Sequence, residues 1–186
     1  MALLSREEAL HWVNDNIKQG NLVKHCLAVE AVMERLAEHF GEDEKRWGLA
    51  GLLHDLDYDQ TAKDPERHSL LSAEWLEEKD IDEDIVYAVK VHNPAHGLPR
   101  NGLMDKALYS SDPLTGLIVA SALIHPDKKL KSVDTQFVIN RFNEKNFAAG
   151  ASREQIAACE EMDMSLEEFI TLGLEGMQSI DKELGL

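Results

Sequence analysis

Apolar side chains recur at helical spacing through most of the chain. After Leu22 they return every three or four residues and form one core-facing stripe, whose members are Leu22, His25, Cys26, Val29, Val32, Met33 and Leu36. Apolar and polar residues nowhere alternate with a period of two between turn signals, so the pattern predicts no β-strand. It predicts an all-α protein that folds as a helical bundle.

Capping signals and turn residues divide this pattern into separate helices. Ser5-Arg-Glu-Glu8 forms a capping box, which predicts a helix ending near Ile17, and Gly20 suits the left-handed residue that follows a helix. Two more capping boxes begin at Ser152 and Ser165. The intervening pattern predicts further helices over residues 22–40, 44–55, 64–76, 85–92, 104–111 and 133–142.

Two Asp-Pro pairs are interpreted as helix starts, because Asp suits the N-cap and proline suits the first helical position. Asp64-Pro65 would begin a helix that carries His68 in its first turn. Asp112-Pro113 fits the same pattern before an apolar segment. Asp112 could be a helix cap alone, or a cap whose second oxygen binds a metal, and the residues leave both alternatives open.

Length and composition suit one globular domain. The chain has 186 residues, 44% hydrophobic and 29% charged, which is enough to build a core that does not depend on a metal or a disulfide. We expect a single domain over residues 1–186, with its core at about 20–125 and C-terminal helices over 126–186 packed on it. The apolar run over residues 114–124 is broken by Thr115, Gly116 and Ser121, so no membrane span is predicted. The N-terminus lacks the basic and apolar regions of a signal peptide, which makes the cytoplasm the default compartment.

Acidic residues dominate the charge and restrict the expected partners. With 35 Asp and Glu against 19 Lys and Arg, the formal net charge is −16. Such a field repels polymeric nucleic acid and anionic lipid, whereas a small phosphorylated compound held by metal and a few basic residues is compatible with it. Cys26 and Cys159 lie in helical patterns without a CxxC motif and are expected to be free thiols. No feature of the sequence indicates an oligomeric state.

The strongest chemical signal is an apolar helix that ends in His54-Asp55. Burying an ionised Asp is costly unless a cation or a network of donors lies beside it, and a metal would provide that cation. His25 lies on a core-facing stripe, where the alternative is a core histidine bonded to a backbone carbonyl. His92 ends a short apolar helix, and His96 follows it in a loop rich in proline and glycine.

The order of these residues points to a known family. His25, His54-Asp55, His68, His92 and Asp112 read as His, His-Asp, His, His, Asp, which resembles the HD-domain superfamily of metal-dependent phosphohydrolases over about half of the chain. The resemblance favours His92 over His96, because the corresponding His of the two-metal members also ends a helix. The phrases Asp112-Pro-Leu-Thr-Gly and Asn146-Phe-Ala-Ala-Gly also resemble a small group of bacterial HD proteins known only as predicted hydrolases.

The resemblance implies an HD-type helical bundle, a metal centre and a reaction. His25, His54, Asp55 and Asp112 would hold one ion, and Asp55 would bridge to a second ion bound by His68 and His92. His54 and Asp55 would be the catalytic pair, with metal-activated hydroxide attacking a small phosphate ester such as a nucleotide or a related metabolite. Ligands of this kind without thiolate suit Mn, Fe, Co, Ni or Mg. Candidate substrate-binding residues are His96, Arg67, Lys90, Arg100 and Arg141.

The sequence also departs from some branches of the family. Leu56-Asp57 follows the His-Asp pair where the branch that cleaves cyclic dinucleotides usually has Ile-Gly, which makes those substrates doubtful. Two other functions stay open. One is a di-iron oxygenase of the HD type, and the other is a non-catalytic sensor or binding module in which the metal is structural.

Overall fold

The computed structural model describes residues 4–186, and every regular element within that range is helical, which confirms the all-α prediction. The first three residues of the expected domain lie outside it. The α-helices are α1 Arg6–Asn16, α2 Gly20–Phe40, α3 Glu44–Leu53, α4 Tyr58–Thr61, α5 Leu70–Glu78, α6 Glu83–Val91, α7 Leu103–Ile124, α8 Thr135–Phe142, α9 Arg153–Ala157, α10 Leu166–Ser179 and α11 Asp181–Leu184. Short 3-10 segments cover Pro94–His96, Leu130–Ser132 and Ala158–Met162.

Helix α2 is the centre of the packing, and two glycines bring its neighbours close to it. A Cβ atom on Gly51 of α3 would lie 2.9 Å from the Glu30 Cα atom, and one on Gly176 of α10 would lie 2.6 Å from the Ala31 carbonyl oxygen. Real Cβ atoms do not approach other atoms so closely. Both helices therefore pack on α2 almost backbone to backbone, and α3 delivers His54 next to His25 of α2.

Helix α7 runs without a break through Asp112 and Pro113, so the interpretation of Asp112 as a helix cap was wrong. Proline lacks the N–H that would bond the carbonyl of Tyr109 four residues earlier. The Gln155 side-chain nitrogen, brought in by α9, lies 3.5 Å from that carbonyl oxygen. By length and composition α7 could cross a membrane, but 67% of its most apolar window is buried inside the protein, as in a core helix.

The capping signals predicted the helix starts well, and the turn residues did so less well. Ser5 and Glu8 form the reciprocal capping box, and Ser165 accepts a hydrogen bond from the Glu168 amide as expected. Gly20, in contrast, is the first residue of α2 and does not have a positive φ. The helix expected from Asp64 begins at Leu70, because Ser69 has a φ of 72° that interrupts helical geometry.

Candidate metal centre

The six predicted ligands come together where α2, α3, α6, α7 and the turn before α5 meet. His54 and His92 are the C-terminal caps of α3 and α6, and they are 0% and 1% exposed. His25 lies on α2, Asp112 lies on α7, and His68 lies in the turn before α5. Four helices and one turn thus contribute side chains to the site.

Asp55 stands at the centre of the cluster and faces two pairs of histidines. Its Oδ2 atom lies 3.7 Å from the Nε2 atom of His25 and 3.5 Å from that of His54. Its Oδ1 atom lies 3.4 Å from the Nε2 atom of His68 and 3.7 Å from that of His92. The two oxygens of one carboxylate therefore divide the histidines into two sets.

Asp112 completes the set formed by His25 and His54. Its Oδ1 atom lies 3.1 Å from the His25 Nε2 atom and 4.0 Å from the His54 Nε2 atom. The two Nε2 atoms are 3.2 Å apart. One half of the centre thus offers two imidazoles and two carboxylates, and the other half offers two imidazoles and the second oxygen of Asp55.

Backbone carbonyls hold the rings of His54 and His92 in one tautomer. The His54 Nδ1 atom donates to the Gly51 carbonyl at 2.7 Å, and the His92 Nδ1 atom donates to the Val89 carbonyl at 2.6 Å. A carbonyl can only accept, so the proton stays on Nδ1 and the Nε2 lone pair points into the centre.

The Thr115 hydroxyl group fixes the tautomer of His25. The Thr115 hydroxyl donates to the Asp112 carbonyl at 2.9 Å and lies 3.1 Å from the His25 Nδ1 atom. Because the hydroxyl proton is used on the carbonyl, the oxygen accepts the Nδ1 proton of His25. The Nε2 atom of His25 is then free to bind an ion.

Asp57 orients His68 and was not assigned a definite role from the sequence. Its side chain is 0% exposed and accepts from the His68 Nδ1 atom at 2.9 Å and from the Ser69 and Ser72 amides at 2.8 and 3.1 Å. Burial alone would raise the pKa of Asp57, but the His68 hydrogen bond and charge and the Ser72 amide outweigh it and lower the pKa. A signal was present in the sequence, since Asp57 lies only two residues after Asp55 of the buried His-Asp pair.

The donor set fits divalent cations. The His92 Nε2 atom is buried and has no hydrogen-bond partner within residues 4–186, as expected of an atom meant for a metal. Burial lowers the pKa of His54 to about 4, so this ring is neutral and able to bind an ion at neutral pH. Donors about 2.0–2.2 Å from one ion lie roughly 3.0–4.2 Å from each other. The separations of 3.1–4.0 Å around Asp55 and Asp112 fall in that range.

Three of the five candidate substrate-binding residues make contacts within the protein. The His96 Nε2 atom lies 2.8 Å from the His68 carbonyl oxygen, so this ring supports the turn that carries His68. Arg100 pairs with Glu161, and Arg141 pairs with Glu144 at 2.7 Å. Exposed Arg67 lies in the turn before His68, and Lys90 lines a surface groove. Their binding of substrate stays a prediction.

The family model described as HD domain matches residues 22–125, which is more than half of the chain. The protein therefore belongs to the HD domain family, as the order of its histidines and aspartates predicted. It is similar to two curated proteins named Ribonuclease Y, one of Lawsonia intracellularis with 29% identity over 96 residues and one of Oleidesulfovibrio alaskensis with 28% identity over 98 residues. Each match covers 52% of this chain and 18% of the relative, so the chain spans less than a fifth of these relatives. No solved structure matches the chain.

Proposed function

We propose that this protein is a metal-dependent phosphohydrolase that acts on a small phosphate ester. The observation that supports this most directly is the convergence of four imidazole Nε2 atoms on the two oxygens of Asp55, with each imidazole proton held on Nδ1. Two carboxylates that share a largely buried place with four neutral imidazoles need cations to offset their charge. Membership of the HD domain family agrees with this chemistry.

The two halves of the centre have separate roles in the proposal. His25, His54, Asp55 and Asp112 would hold one divalent ion, and Asp55, His68 and His92 would hold another. Divalent ions bound there would lower the pKa of a water molecule and offset the charge on phosphoryl oxygens. Asp57 and Thr115 keep the lone pairs of His68 and His25 directed inward throughout the reaction.

We favour a small ester, such as a nucleotide or a related metabolite, over a polymer. The net charge of −16 opposes the approach of polyanions such as RNA and of anionic membranes. The name of the two relatives nevertheless makes cleavage of RNA a second candidate, because it also breaks a phosphate ester bond.

A screen of metal-loaded protein would test the proposal. The metal-free protein is supplied with Mn, Fe, Co, Ni or Mg and incubated with phosphorylated metabolites and with a short RNA. We expect release of phosphate from a small ester, its loss in His54→Ala and His68→Ala, and a milder effect in His96→Ala, which removes a contact to the turn that carries His68 instead of a proposed ligand. Cleavage of RNA alone would favour the second candidate.

The other functions left open by the sequence predict different results. A di-iron oxygenase would need O₂ for turnover, so an equal rate of phosphate release under anaerobic conditions excludes it. A binding module would bind metal but release phosphate from none of the compounds, which would contradict the proposal.

A further inference from the structure

A cleft of about 370 Å³ opens beside the half of the metal centre that contains His25 and Asp112. Its other walls are Pro113 and Gly116 of α7 and the segment 148–151, which is Ala-Ala-Gly-Ala. Apart from His25 and Asp112, none of the residues that line it carries a charge. Any group that enters this cleft from the metal centre therefore meets backbone and small apolar side chains.

Arg153 holds the outer wall of this cleft in place. Its guanidinium group donates hydrogen bonds of 2.6–3.2 Å to the carbonyl oxygens of Arg141, Phe142, Glu144, Phe147, Ala148 and Ala151. None of the ion pairs within residues 4–186 includes Arg153, and its charge faces carbonyl dipoles and the Phe142 ring, whose centroid lies 5.7 Å away. One side chain thus closes the loop between α8 and α9 into a fixed shape.

Gly116 keeps the opposite wall open. It lies in the interior of α7, where glycine is a poor helix former, and it is exposed. A Cβ atom added to it would meet no other atom within 4 Å, so packing does not require glycine here. The missing side chain instead leaves space next to the metal ligand Asp112.

We infer that this cleft is the leaving-group subsite of the phosphohydrolase proposed above, that it takes an uncharged organic group, and that Arg153 is a positioning residue for its wall. The inference rests on the proposed function. A phosphate group held at the metal centre would direct the rest of the ester into the cleft beside it. A charged leaving group would find no charged partner on Pro113, Gly116 or the segment 148–151, whereas an uncharged one needs none.

Ligand binding can test the subsite without turnover. The affinities of the Mn-loaded protein for inorganic phosphate, phenylphosphonate and 4-carboxyphenylphosphonate are measured by calorimetry. Inorganic phosphate would contact the metal centre alone, whereas the aromatic rings of the two phosphonates would also occupy the cleft. The variants are Gly116→Leu, Arg153→Lys and Arg153→Met. The matched controls are Gly20→Leu, whose Cβ atom also meets nothing within 4 Å, and Arg35→Met, which removes a surface ion pair with Glu175.

We expect Gly116→Leu to lower the affinity for phenylphosphonate about tenfold, because the new side chain fills the cleft. The affinity for inorganic phosphate and the Mn content should not change. Both Arg153 variants should lower the affinity for phenylphosphonate and speed up amide hydrogen exchange over residues 143–151. Lysine should not rescue the arginine, since three ammonium donors cannot bond six carbonyls. In the wild type, 4-carboxyphenylphosphonate should bind about tenfold more weakly than phenylphosphonate. The two controls should bind all three ligands like the wild type.

Distinct results would overturn the inference. Equal losses of phosphate and phenylphosphonate in Gly116→Leu, or no loss at all, would exclude the subsite, and this variant decides the matter even if the Arg153 variants do not fold. Equal binding of the two phosphonates would exclude the preference for an uncharged group. Binding of no ligand by the Mn-loaded wild type would overturn both the subsite and the proposed function. Selective binding without hydrolysis of phenyl phosphate would overturn the hydrolase and support the cleft as an organic-ligand subsite.

Discussion

Asp57 binds the backbone of the turn before α5 and also orients the imidazole ring of His68. It accepts from the Ser69 and Ser72 amides and from the His68 Nδ1 atom at the same time. These bonds accompany the positive φ of 72° at Ser69, whose amide donates to the buried carboxylate. The histidine is thus aimed at Asp55 by contacts that lie outside the ligand set.

The substitution Asp57→Asn tests this role. Asp57 accepts from His68 with one oxygen and from the Ser69 and Ser72 amides with the other, and Asn has only one acceptor oxygen. The variant therefore cannot accept from His68 and from both amides at once, so we expect metal affinity of the second ion to fall roughly 10- to 100-fold. Loss of buried hydrogen bonds should also lower the free energy of unfolding by about 1–3 kcal/mol. Elemental analysis after dialysis and urea unfolding measure the two effects. Asp59→Asn is the control, because Asp59 binds the Lys18 amide at the surface, and equal metal content in both variants would contradict the role of Asp57.

Glu30 provides a pH test away from the metal centre. It is buried against Arg6, and burial raises its pKa above the ordinary 4.5 although Arg6 opposes that shift. A raised pKa in the folded state contributes stability below about pH 4.5, and that contribution is lost as the pH rises through the folded-state value.

Glu30→Gln should therefore gain stability relative to the wild type as the pH increases from about 4 to about 8. Urea unfolding at several pH values measures the difference. Glu175→Gln is the control, because Glu175 is a carboxylate at the surface that pairs with Arg35 instead of Arg6. If the stability of Glu30→Gln relative to the wild type stays constant or decreases with rising pH, burial does not raise the pKa of Glu30.

The six candidate ligands could be selected from the sequence, and the orientation of their side chains could not. The order of His25, His54, Asp55, His68, His92 and Asp112 identified the six residues that the structure brings together. The roles of Thr115 and Asp57 depend on which atoms meet across α2, α7 and the turn before α5, and spacing along the chain does not contain that information. His96 could be placed in a loop, but its bond to the His68 carbonyl is a long-range contact of the same kind.

At the scale of helices, two glycines of similar appearance in the sequence have opposite roles. Gly51 lets α3 touch α2, and its carbonyl accepts the proton of His54. A Cβ atom added to Gly116 would meet no other atom within 4 Å. One glycine is therefore needed for packing, and the other costs helical stability.

Alanine substitutions should separate these two roles. Gly116→Ala should raise the free energy of unfolding by about 0.5–1 kcal/mol through helix propensity. Gly51→Ala should lower it by about 1–3 kcal/mol, because the added methyl group would overlap the backbone of α2. Urea unfolding of the metal-free proteins measures both changes. Changes of the same sign in the two variants would refute the packing described for α2 and α3.

Helix periodicity and caps predicted most elements, and the exceptions have long-range causes. Local rules make Pro113 a helix start, yet α7 continues through it and the Gln155 side chain from α9 approaches the carbonyl that proline leaves free. Local rules also make Asp64-Pro65 a helix start, yet Asp57 draws the Ser69 amide out of helical geometry. In both places a residue distant in the sequence contacts the backbone, and periodicity alone could not have predicted these contacts.

At the scale of the whole molecule, the core should hold without its metals. Buried apolar residues form one cluster that reaches from Ala9 to Leu184, far beyond the metal centre. We expect Asp55→Ala to lose bound metal and phosphohydrolase activity but to keep the helical circular dichroism of the wild type. Treatment with a chelator should lower the melting temperature without unfolding the protein. Unfolding on metal removal would instead favour a structural metal in a binding module.

The central claim is that Asp55 bridges two divalent ions, one beside His25, His54 and Asp112 and one beside His68 and His92. Anomalous diffraction from crystals saturated with Mn tests it most directly. We expect two peaks that flank Asp55, each with histidine Nε2 atoms at about 2.0–2.3 Å. One peak beside His25 and His54, with the Nε2 atoms of His68 and His92 farther than about 2.5 Å from any ion, would contradict the two-metal centre.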